Sequence, residues 1–321
     1  MRQQKTNVVI VIYYILMPFL VLAETADDEE GKFSARLQAG AYYLQTDSQL
    51  YVSDDNAQNN NLNNSAETYD EFQALASLYL EYRFKNGTTL YAGNPLEIDK
   101  DLALSAGVIQ PLGKSSLDVS LVWTPIDEVW ANPYQVGTAR TETDMDALGL
   151  RVKFQQIAGS PWEGYYHLDS TTIKDDEIGN LDRDLRRSGY AHALGLKYTF
   201  ALNESFSIRP EAGYAYGDLD GASNSYQGFQ LGALVNYQHQ FWMVSGQVFG
   251  ICNQYDKVHS IFGETRDETG FVAMAQVTRM NLFKNKYLFA NCMAGYASTD
   301  ANIDFFDQQT ALCLLSLGIN Y

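Results

Sequence analysis

The chain has 321 residues, of which 46% are hydrophobic, 19% charged and 13% aromatic, and its formal net charge is −17. This balance argues against a disordered chain and against a bundle of membrane-spanning helices. The negative charge excludes nucleic acid as a partner, because phosphate binding needs clustered lysine and arginine. The 22 tyrosines and 16 phenylalanines, beside only 4 tryptophans, favour an all-β or membrane-interface protein.

Residues 1–23 are predicted to be a signal peptide. Arg2 and Lys5 form a basic start, Val8 to Leu22 is apolar, and Ala23 supplies the small residue at the cleavage site. A membrane anchor is the alternative, but the apolar run is short for a span and the acidic segment 24–31 follows at once. We therefore expect an exported protein whose folded domain covers residues 32–321.

Hydrophobic and polar side chains alternate through most of the remaining chain, with the period of two that marks a strand with one apolar face. Residues 32–44 and 70–84 show the pattern best: Leu37 and Phe72 lie on apolar faces, opposite polar faces that carry Gln38 and Gln73. Both segments are longer than ordinary globular strands and match strands that cross a membrane.

Twelve further strands are predicted, giving about fourteen, an even number as bacterial single-chain barrels require. They lie near residues 88–93, 101–110, 116–124, 146–156, 162–172, 188–201, 205–217, 226–239, 241–253, 269–280, 286–297 and 309–321. The first two are the weakest, because Asn94-Pro95 interrupts the pattern; without them twelve strands remain. The predicted fold is an all-β, transmembrane, antiparallel up-and-down β-barrel.

Short turns alternate with long acidic loops, the asymmetry of outer-membrane barrels with short periplasmic turns and long extracellular loops. The long loops include residues 45–69, 94–101, 125–146 and 252–270. The last strand alternates up to Tyr321, the aromatic ending that the outer-membrane insertion machinery is generally understood to read. We expect a location in the outer membrane of a Gram-negative bacterium, among membrane lipid and lipopolysaccharide.

The polar faces of the predicted strands carry charges of both signs, which would share the enclosed interior of the barrel. Such charges pair across the lumen or line a small aqueous path. A barrel of this size lies between filled eight-stranded and open sixteen-stranded forms. The sequence therefore leaves two alternatives, a plugged barrel and an open pore. The candidate lumen-lining residues are Arg36, Glu81, Arg83, Asp118, Arg151, Lys153, Glu163, Lys197, Arg209 and Glu211.

Residues for chemistry are sparse. His167 lies near Asp169 and Ser170, but adjacent strand residues point to opposite faces, and no hydrolase or zinc-protease motif occurs. The three cysteines match no metal-binding spacing and are read as small apolar side chains rather than as a disulfide. We therefore expect no catalytic residue, no metal site and no cofactor.

One predicted outer loop is rich in aromatic residues and proline, which restrict its conformations, so it should fold against something. It would act as a constriction inside the barrel or as a cap over it. Its candidate residues are Trp130, Asn132, Pro133, Tyr134, Gly137, Arg140 and Asp144.

At this loop the sequence resembles a family of uncharacterised outer-membrane proteins of Gram-negative bacteria, known only as a domain of unknown function. The resemblance rests on the stretch VWANPYQVG with Arg140 and Asp144, on residues 261–267 and 302–307, and on the closing strand. It spans roughly Lys32 to Tyr321. It implies a barrel in the outer membrane, and the biochemical role of the family is itself unsettled.

These features predict a narrow, porin-like channel for ions or small polar solutes. The alternative is a plugged barrel with a structural or surface-interaction role through its acidic loops, and a barrel enzyme comes third. The acidic loops would attract cations or bind the divalent ions that bridge lipopolysaccharide, although solvation of exposed loops explains the same charge.

Overall fold

A computed structural model of the protein describes residues 31–63, 66–98 and 103–321, with only the backbone given at residues 125–127. The predicted signal peptide and nearly all of the acidic segment 24–31 lie outside the described residues. The rest of the predicted domain can be followed strand by strand.

The described residues form one closed antiparallel sheet of fourteen strands, in which each strand pairs with the next in sequence and the last pairs with the first. The strands are β1 (Gly31–Thr46), β2 (Tyr69–Phe84), β3 (Thr89–Gly93), β4 (Leu104–Leu112), β5 (Ser115–Trp130), β6 (Glu142–Gln155), β7 (Trp162–Ile173), β8 (Gly189–Tyr198, continued by Phe200–Ala201), β9 (Phe206–Leu219), β10 (Tyr226–His239), β11 (Trp242–Val258), β12 (Thr265–Met280), β13 (Leu288–Ala301) and β14 (Gln308–Asn320). The predicted fourteen-stranded up-and-down barrel is confirmed, including the two weakest strands.

The only regular helices in the described part of the chain are short and lie in connections. They are one α-helix, Glu177–Leu181, and the 3₁₀ turns Asp54–Asn56, Ile157–Gly159, Arg183–Leu185, Leu282–Lys284 and Asp304–Phe306. None of the helices among the described residues is long and apolar enough to span a membrane.

The outer surface of the barrel is apolar, as the alternation requires. Leu121 is 56% exposed and Leu231 68% exposed at positions that face away from the lumen, whereas the inward Gln38 is 2% exposed. An exposed belt of this kind has no stable partner in water and suits the hydrocarbon of a bilayer. The chain is therefore a barrel of the outer-membrane type, and it lies in the outer membrane.

Exposed aromatic side chains form two bands around this belt, at the levels where lipid meets water. The periplasmic band includes Trp162, whose ring lies 4.8 Å from that of Tyr198. The outer band includes Tyr214 and Phe229, whose ring centroids are 5.2 Å apart. Aromatic side chains therefore lie toward both ends of the membrane-crossing strands.

Several strands extend farther outward than the alternation indicates. β5 continues from the predicted end at residue 124 to Trp130, and β6 begins at Glu142, so the loop predicted over 125–146 shrinks to residues 131–141. β5 carries an irregularity in its register between Thr124 and Asp127, which shifts the pattern beyond that point. Pairing with a neighbouring strand therefore continues past the membrane, where the outer face need not be apolar.

The three cysteines, Cys252, Cys292 and Cys313, are free and exposed on the outer surface. Their interpretation as small apolar side chains, without a disulfide, is confirmed.

An arginine in the apolar belt should destabilise the barrel. Leu121→Arg should lower the free energy of unfolding by about 2–4 kcal/mol, because the charge would lie near the bilayer midplane. Leu121→Ala is the matched control for loss of the leucine alone. Urea unfolding in lipid vesicles measures both, and equal losses for the two variants would contradict the assignment of this face to lipid.

Deleting Tyr321 should impair closure of the barrel. Its backbone N–H donates to the Ala35 carbonyl at 2.8 Å and its carbonyl accepts from the Ala35 N–H at 3.0 Å. The deletion should therefore reduce the heat-modifiable, folded form seen by gel electrophoresis of outer membranes, whereas Tyr321→Phe should preserve it. Wild-type levels of the folded form in the deletion variant would show that this pairing does not matter.

Candidate functional site: the lumen and its outer cap

Charged side chains that face inward are concentrated on β2 to β9, an inner surface here called the charged wall. Lys197 lies between two carboxylates, with Nζ 3.9 Å from Glu163 and 3.4 Å from Glu211. The Tyr165 hydroxyl donates to Glu211 at 2.8 Å, and the Lys197 ammonium lies 4.8 Å from the centre of the Tyr165 ring. Low local dielectric makes such bonds strong and makes any missing partner costly.

Five further predicted residues follow this wall. Arg151 forms an ion pair with Asp169 at 2.8 Å, and the Tyr91 hydroxyl donates to Asp118 at 2.7 Å. Four of the five border one cavity together with Glu163 and Lys197; they are Glu81, Asp118, Lys153 and Arg209. The fifth, Arg151, lies above this cavity on β6. The register also turns Arg83 inward, at the exposed periplasmic end of β2.

A segment of the β3–β4 connection, residues 94–98, folds into the barrel and is here called the inward segment. Leu96 packs against Met293 on β13 and Leu314 on β14. The Gln276 side chain holds the backbone at two points, donating to the Leu96 carbonyl at 2.9 Å and accepting from the Ile98 N–H at 3.0 Å. The sequence predicts an acidic outer loop at residues 94–101, so that expectation is wrong for the described part.

Arg36 fixes the inward segment from the other side. Its guanidinium forms an ion pair with Glu97 and donates to the Asn320 side chain at 3.0 Å. Asn94 ties the start of the segment to β2, since its side chain accepts from the Leu78 N–H at 3.0 Å and donates to the Ala76 carbonyl at 3.1 Å. Three strands therefore hold this crossing of the lumen.

The inward segment leaves two unfilled spaces. A cavity of about 180 Å³, here called the polar cavity, lies between Pro95 and the charged wall. A second cavity, of about 400 Å³, lies between Arg36, Leu96 and the Gln276 side of the barrel. The interior is thus narrowed but not packed solid.

The predicted aromatic loop lies above the barrel rather than inside it. Trp130 is 1% exposed, and the Arg140 guanidinium stacks over its ring at 4.4 Å. Arg140 donates to the carbonyls of Gln49 at 2.9 Å and Pro133 at 3.2 Å, and to the Asn56 side chain at 2.7 Å. Burial lowers the pKa of Arg140 to about 10, so the group stays charged at neutral pH and ties two loops together.

The other predicted residues of this loop have smaller roles. Asn132 accepts from the Tyr134 N–H at 3.1 Å, and Gly137, at φ +78°, donates its N–H to Asn59. Asp144 lies outside the loop, on β6, and forms an exposed ion pair with Lys174 at 3.4 Å. Of the two alternatives for this loop, the geometry is that of a cap, and the constriction comes from the inward segment.

Tyr134 lies at the centre of an apolar cluster, here called the cap. Its ring centroid is 5.1 Å from that of Phe305 and 5.8 Å from that of Phe262. The β5–β6 and β13–β14 hairpins stand on nearly opposite sides of the barrel, so their contact crosses the mouth. Loops from five hairpins meet in the cap, which comprises Tyr134, Ile178, Leu185, Ala301, Ile303, Phe305 and Phe306, with Leu62 and Phe262 packed against them.

A buried histidine lies within the cap. His259 Nε2 is 3.0 Å from the Tyr134 hydroxyl, and Nδ1 has no hydrogen-bond partner among the described residues. Burial, aided by the positive charge of Arg266, lowers the pKa of His259 to about 4. The imidazole is therefore neutral at pH 7, because protonation would bury a charge and leave a donor unsatisfied.

The side chains of His167, Asp169 and Ser170 do not share one face of β7. His167 and Asp169 share the inner face of β7, whereas Ser170 lies on the outer face. No group of three or more His, Cys, Asp or Glu residues that could hold a metal ion occurs in the described ranges.

Residues 32–321 match the family described as Protein of unknown function (DUF2860). The chain belongs to this family. The match covers the whole barrel from β1 to the end of the sequence, so the resemblance drawn from the loop motifs and the closing strand is confirmed. No curated protein matches the DUF2860 chain.

Solved barrels of similar outline include outer-membrane channels. The outer membrane channel DcaP of Acinetobacter baumannii is 10% identical, with a TM-score of 0.47 over 91% of this chain and 97% of the other. The CymD monoaromatic hydrocarbon channel is 9% identical, with a TM-score of 0.43 over 90% and 88% of the two chains. At such low similarity the solute of either channel says nothing about the DUF2860 chain.

Acidification should loosen the cap. Because the pKa of His259 is below its ordinary value of 6.5, its stabilising effect is fully present above pH 6.5 and is lost as the pH falls toward 4. Hydrogen exchange of the cap loops, corrected for the intrinsic rate, should therefore speed up across this range. His259→Phe keeps a ring beside Phe262 and should make the exchange rate of the cap loops less dependent on pH. The same pH dependence in both proteins would show that His259 is not its cause.

Proposed function

We propose that this protein is a narrow outer-membrane channel for ions or small polar solutes, constricted by the inward segment and covered by the cap. One observation carries the proposal: six charged side chains border an unfilled cavity rather than a packed core. Charges that face a lumen are stable when they pair or contact water.

The path we propose runs along one side of the lumen. On the other side of the lumen, the inward segment packs through Leu96 against the apolar Met293 and Leu314, beside the second cavity. Pro95 then faces the charged wall across the polar cavity. A solute entering from the periplasmic mouth would therefore move past charges and tyrosine hydroxyls, and would meet the cap at the outer end.

Single-channel recording in planar bilayers tests the proposal. Refolded protein should give small, discrete conductance steps. Loosening the cap with Tyr134→Ala should raise the open probability, because this ring joins loops from opposite sides of the mouth. Absence of conductance from both folded proteins would refute the channel.

The second candidate is a plugged barrel that acts as a structural or surface-interaction protein. The observation in its favour is the cap itself, in which loops from five hairpins bury one apolar cluster and present acidic residues to the outside. Silence of folded wild-type and Tyr134→Ala proteins in bilayers would favour this second function.

Ion preference should arise at the outer rim. Glu142 is exposed, and its pKa is raised by partial burial and by the nearby Glu128 and Asp54, a sign of concentrated negative charge. Exposed charges act over about 10 Å at 0.1 M salt but only about 3 Å at 1 M. The channel should therefore prefer cations at low salt and lose this preference as the salt concentration rises.

Reversal potentials across a salt gradient measure the preference. The double variant Glu142→Gln with Asp144→Asn should reduce it at 0.1 M, whereas Glu204→Gln in the periplasmic β8–β9 turn should have a smaller effect. Anion preference of the wild type at low salt would contradict the rim argument.

A further inference from the structure

One of the bases that border the polar cavity has no ion-pair or hydrogen-bond partner among the described residues. Three acids and three bases border this space, together with polar, aromatic and apolar side chains. The volume, about 180 Å³, is below the roughly 300–1,000 Å³ of pockets for drug-sized ligands. Any ligand that fits it is small.

Each acid in the lining has its own donor. Glu81 accepts from the Tyr79 hydroxyl at 3.2 Å, Asp118 accepts from the Tyr91 hydroxyl at 2.7 Å, and Glu163 lies 3.9 Å from the Lys197 ammonium. Lys197 is shared with Glu211, which also accepts from Tyr165. Each of these carboxylates thus already has a donor or an ion-pair partner within the protein.

Lys153 differs from the other bases of the cavity. It stands in register with Asp118 on β5 and with Tyr165 on β7. Within the described ranges of the chain its ammonium makes no ion pair within 4 Å and no hydrogen bond, although it borders the same space as the paired groups. An ammonium inside a barrel has three donors to satisfy, and an anion from solution could satisfy them.

Aromatic and apolar side chains form another part of the lining. The Tyr79 and Tyr91 rings lie with centroids 6.0 Å apart, and Pro95 and Ile109 extend the same surface. These groups leave no donor for a second charge on the ligand, since both tyrosine hydroxyls already donate to carboxylates of the wall. The lining therefore places one base without a partner near a small apolar surface.

We propose that the polar cavity binds a small organic monocarboxylate, with its carboxylate on Lys153 and its aromatic or aliphatic body against Tyr79, Tyr91 and Pro95. This inference deepens the proposed function, since it names the solute class that would pause in the channel. It is independent of the cation preference at the rim, which concerns the outer loops rather than this wall.

Calorimetric titration of the folded full-length protein with benzoate tests the proposal. Benzoate should bind saturably, and benzamide, which keeps the ring and lacks the charge, should bind at least about tenfold more weakly because a charge-assisted hydrogen bond is lost. Lys153→Met should weaken benzoate binding by a similar factor, and Lys153→Arg should restore most of it. Lys286→Met, a change of an exposed lysine in the periplasmic β12–β13 turn, is the matched control and should leave binding unchanged.

Failure of this site and failure of the channel have different signatures. Conductance without saturable benzoate binding, or equal binding of benzoate and benzamide, overturns the carboxylate site and leaves the channel standing. Unchanged binding in heat-modifiable Lys153→Met protein also overturns it. Benzoate binding that depends on Lys153 supports the site even if bilayers show no conductance, in which case only the channel is lost.

Discussion

The need to bond every backbone N–H and C=O group inside a bilayer determines the architecture of this protein. Hydrocarbon offers no hydrogen-bond partner, so strands can cross it only if the sheet closes on itself. Closure is visible where β14 pairs with β1 in an unbroken register from Arg36 with Asn320 to Thr46 with Thr310. Because each strand then has one face toward lipid and one toward the lumen, the alternation of the sequence follows from the same constraint.

The lumen is subject to a different constraint. Fourteen strands enclose more space than their side chains fill by simple packing. Small residues on neighbouring strands make room for large side chains to lie along the wall of the barrel. A Cβ atom at Gly195 would lie 2.4 Å from the Tyr165 hydroxyl oxygen, and one at Gly213 would lie 2.6 Å from it. The glycines let the tyrosine lie along the wall and reach Glu211, so side chains coat the barrel while the space in front of them stays open.

The alternation of the sequence predicts the positions of the strands and the direction of their side chains. It does not predict where strands end or which loops touch each other. All fourteen strands and the inward direction of Arg36, Lys153 and Lys197 follow from alternation, because a one-residue slip would put charges into lipid. Strand ends such as the extension of β5 to Trp130 do not follow, since pairing above the membrane needs no apolar face. The cap is predicted only as one of two alternatives for a single loop, because the contact of Tyr134 with Phe305 joins residues far apart in sequence.

The sequence of the inward segment contains evidence for its inward fold, although its acidic character points to an outer loop. Its acidic character suggests a solvated loop, yet Leu96 and Ile98 alternate with Glu97, and β3 is only five residues long. A strand that stops so early leaves the connection starting at membrane depth, where irregular backbone is tolerated only inside the protein or beside water. The short strand therefore implies the inward fold, and Gln276 and Asn94 supply the hydrogen bonds that this position requires.

The constriction and the cap are held by different kinds of interaction, and this difference bears on how the lumen could open. The inward segment is fixed by hydrogen bonds and an ion pair to β1, β2 and β12, all parts of the closed sheet, and it can move only with loss of several bonds to a rigid wall. The cap is an apolar cluster between loops, whose members are tied to one another more than to the sheet. Loops of this kind are drawn from the least stable part of a fold. In the proposed channel, a change in passage would therefore fall to the cap, while the inward segment and the charged wall would determine which solutes pass.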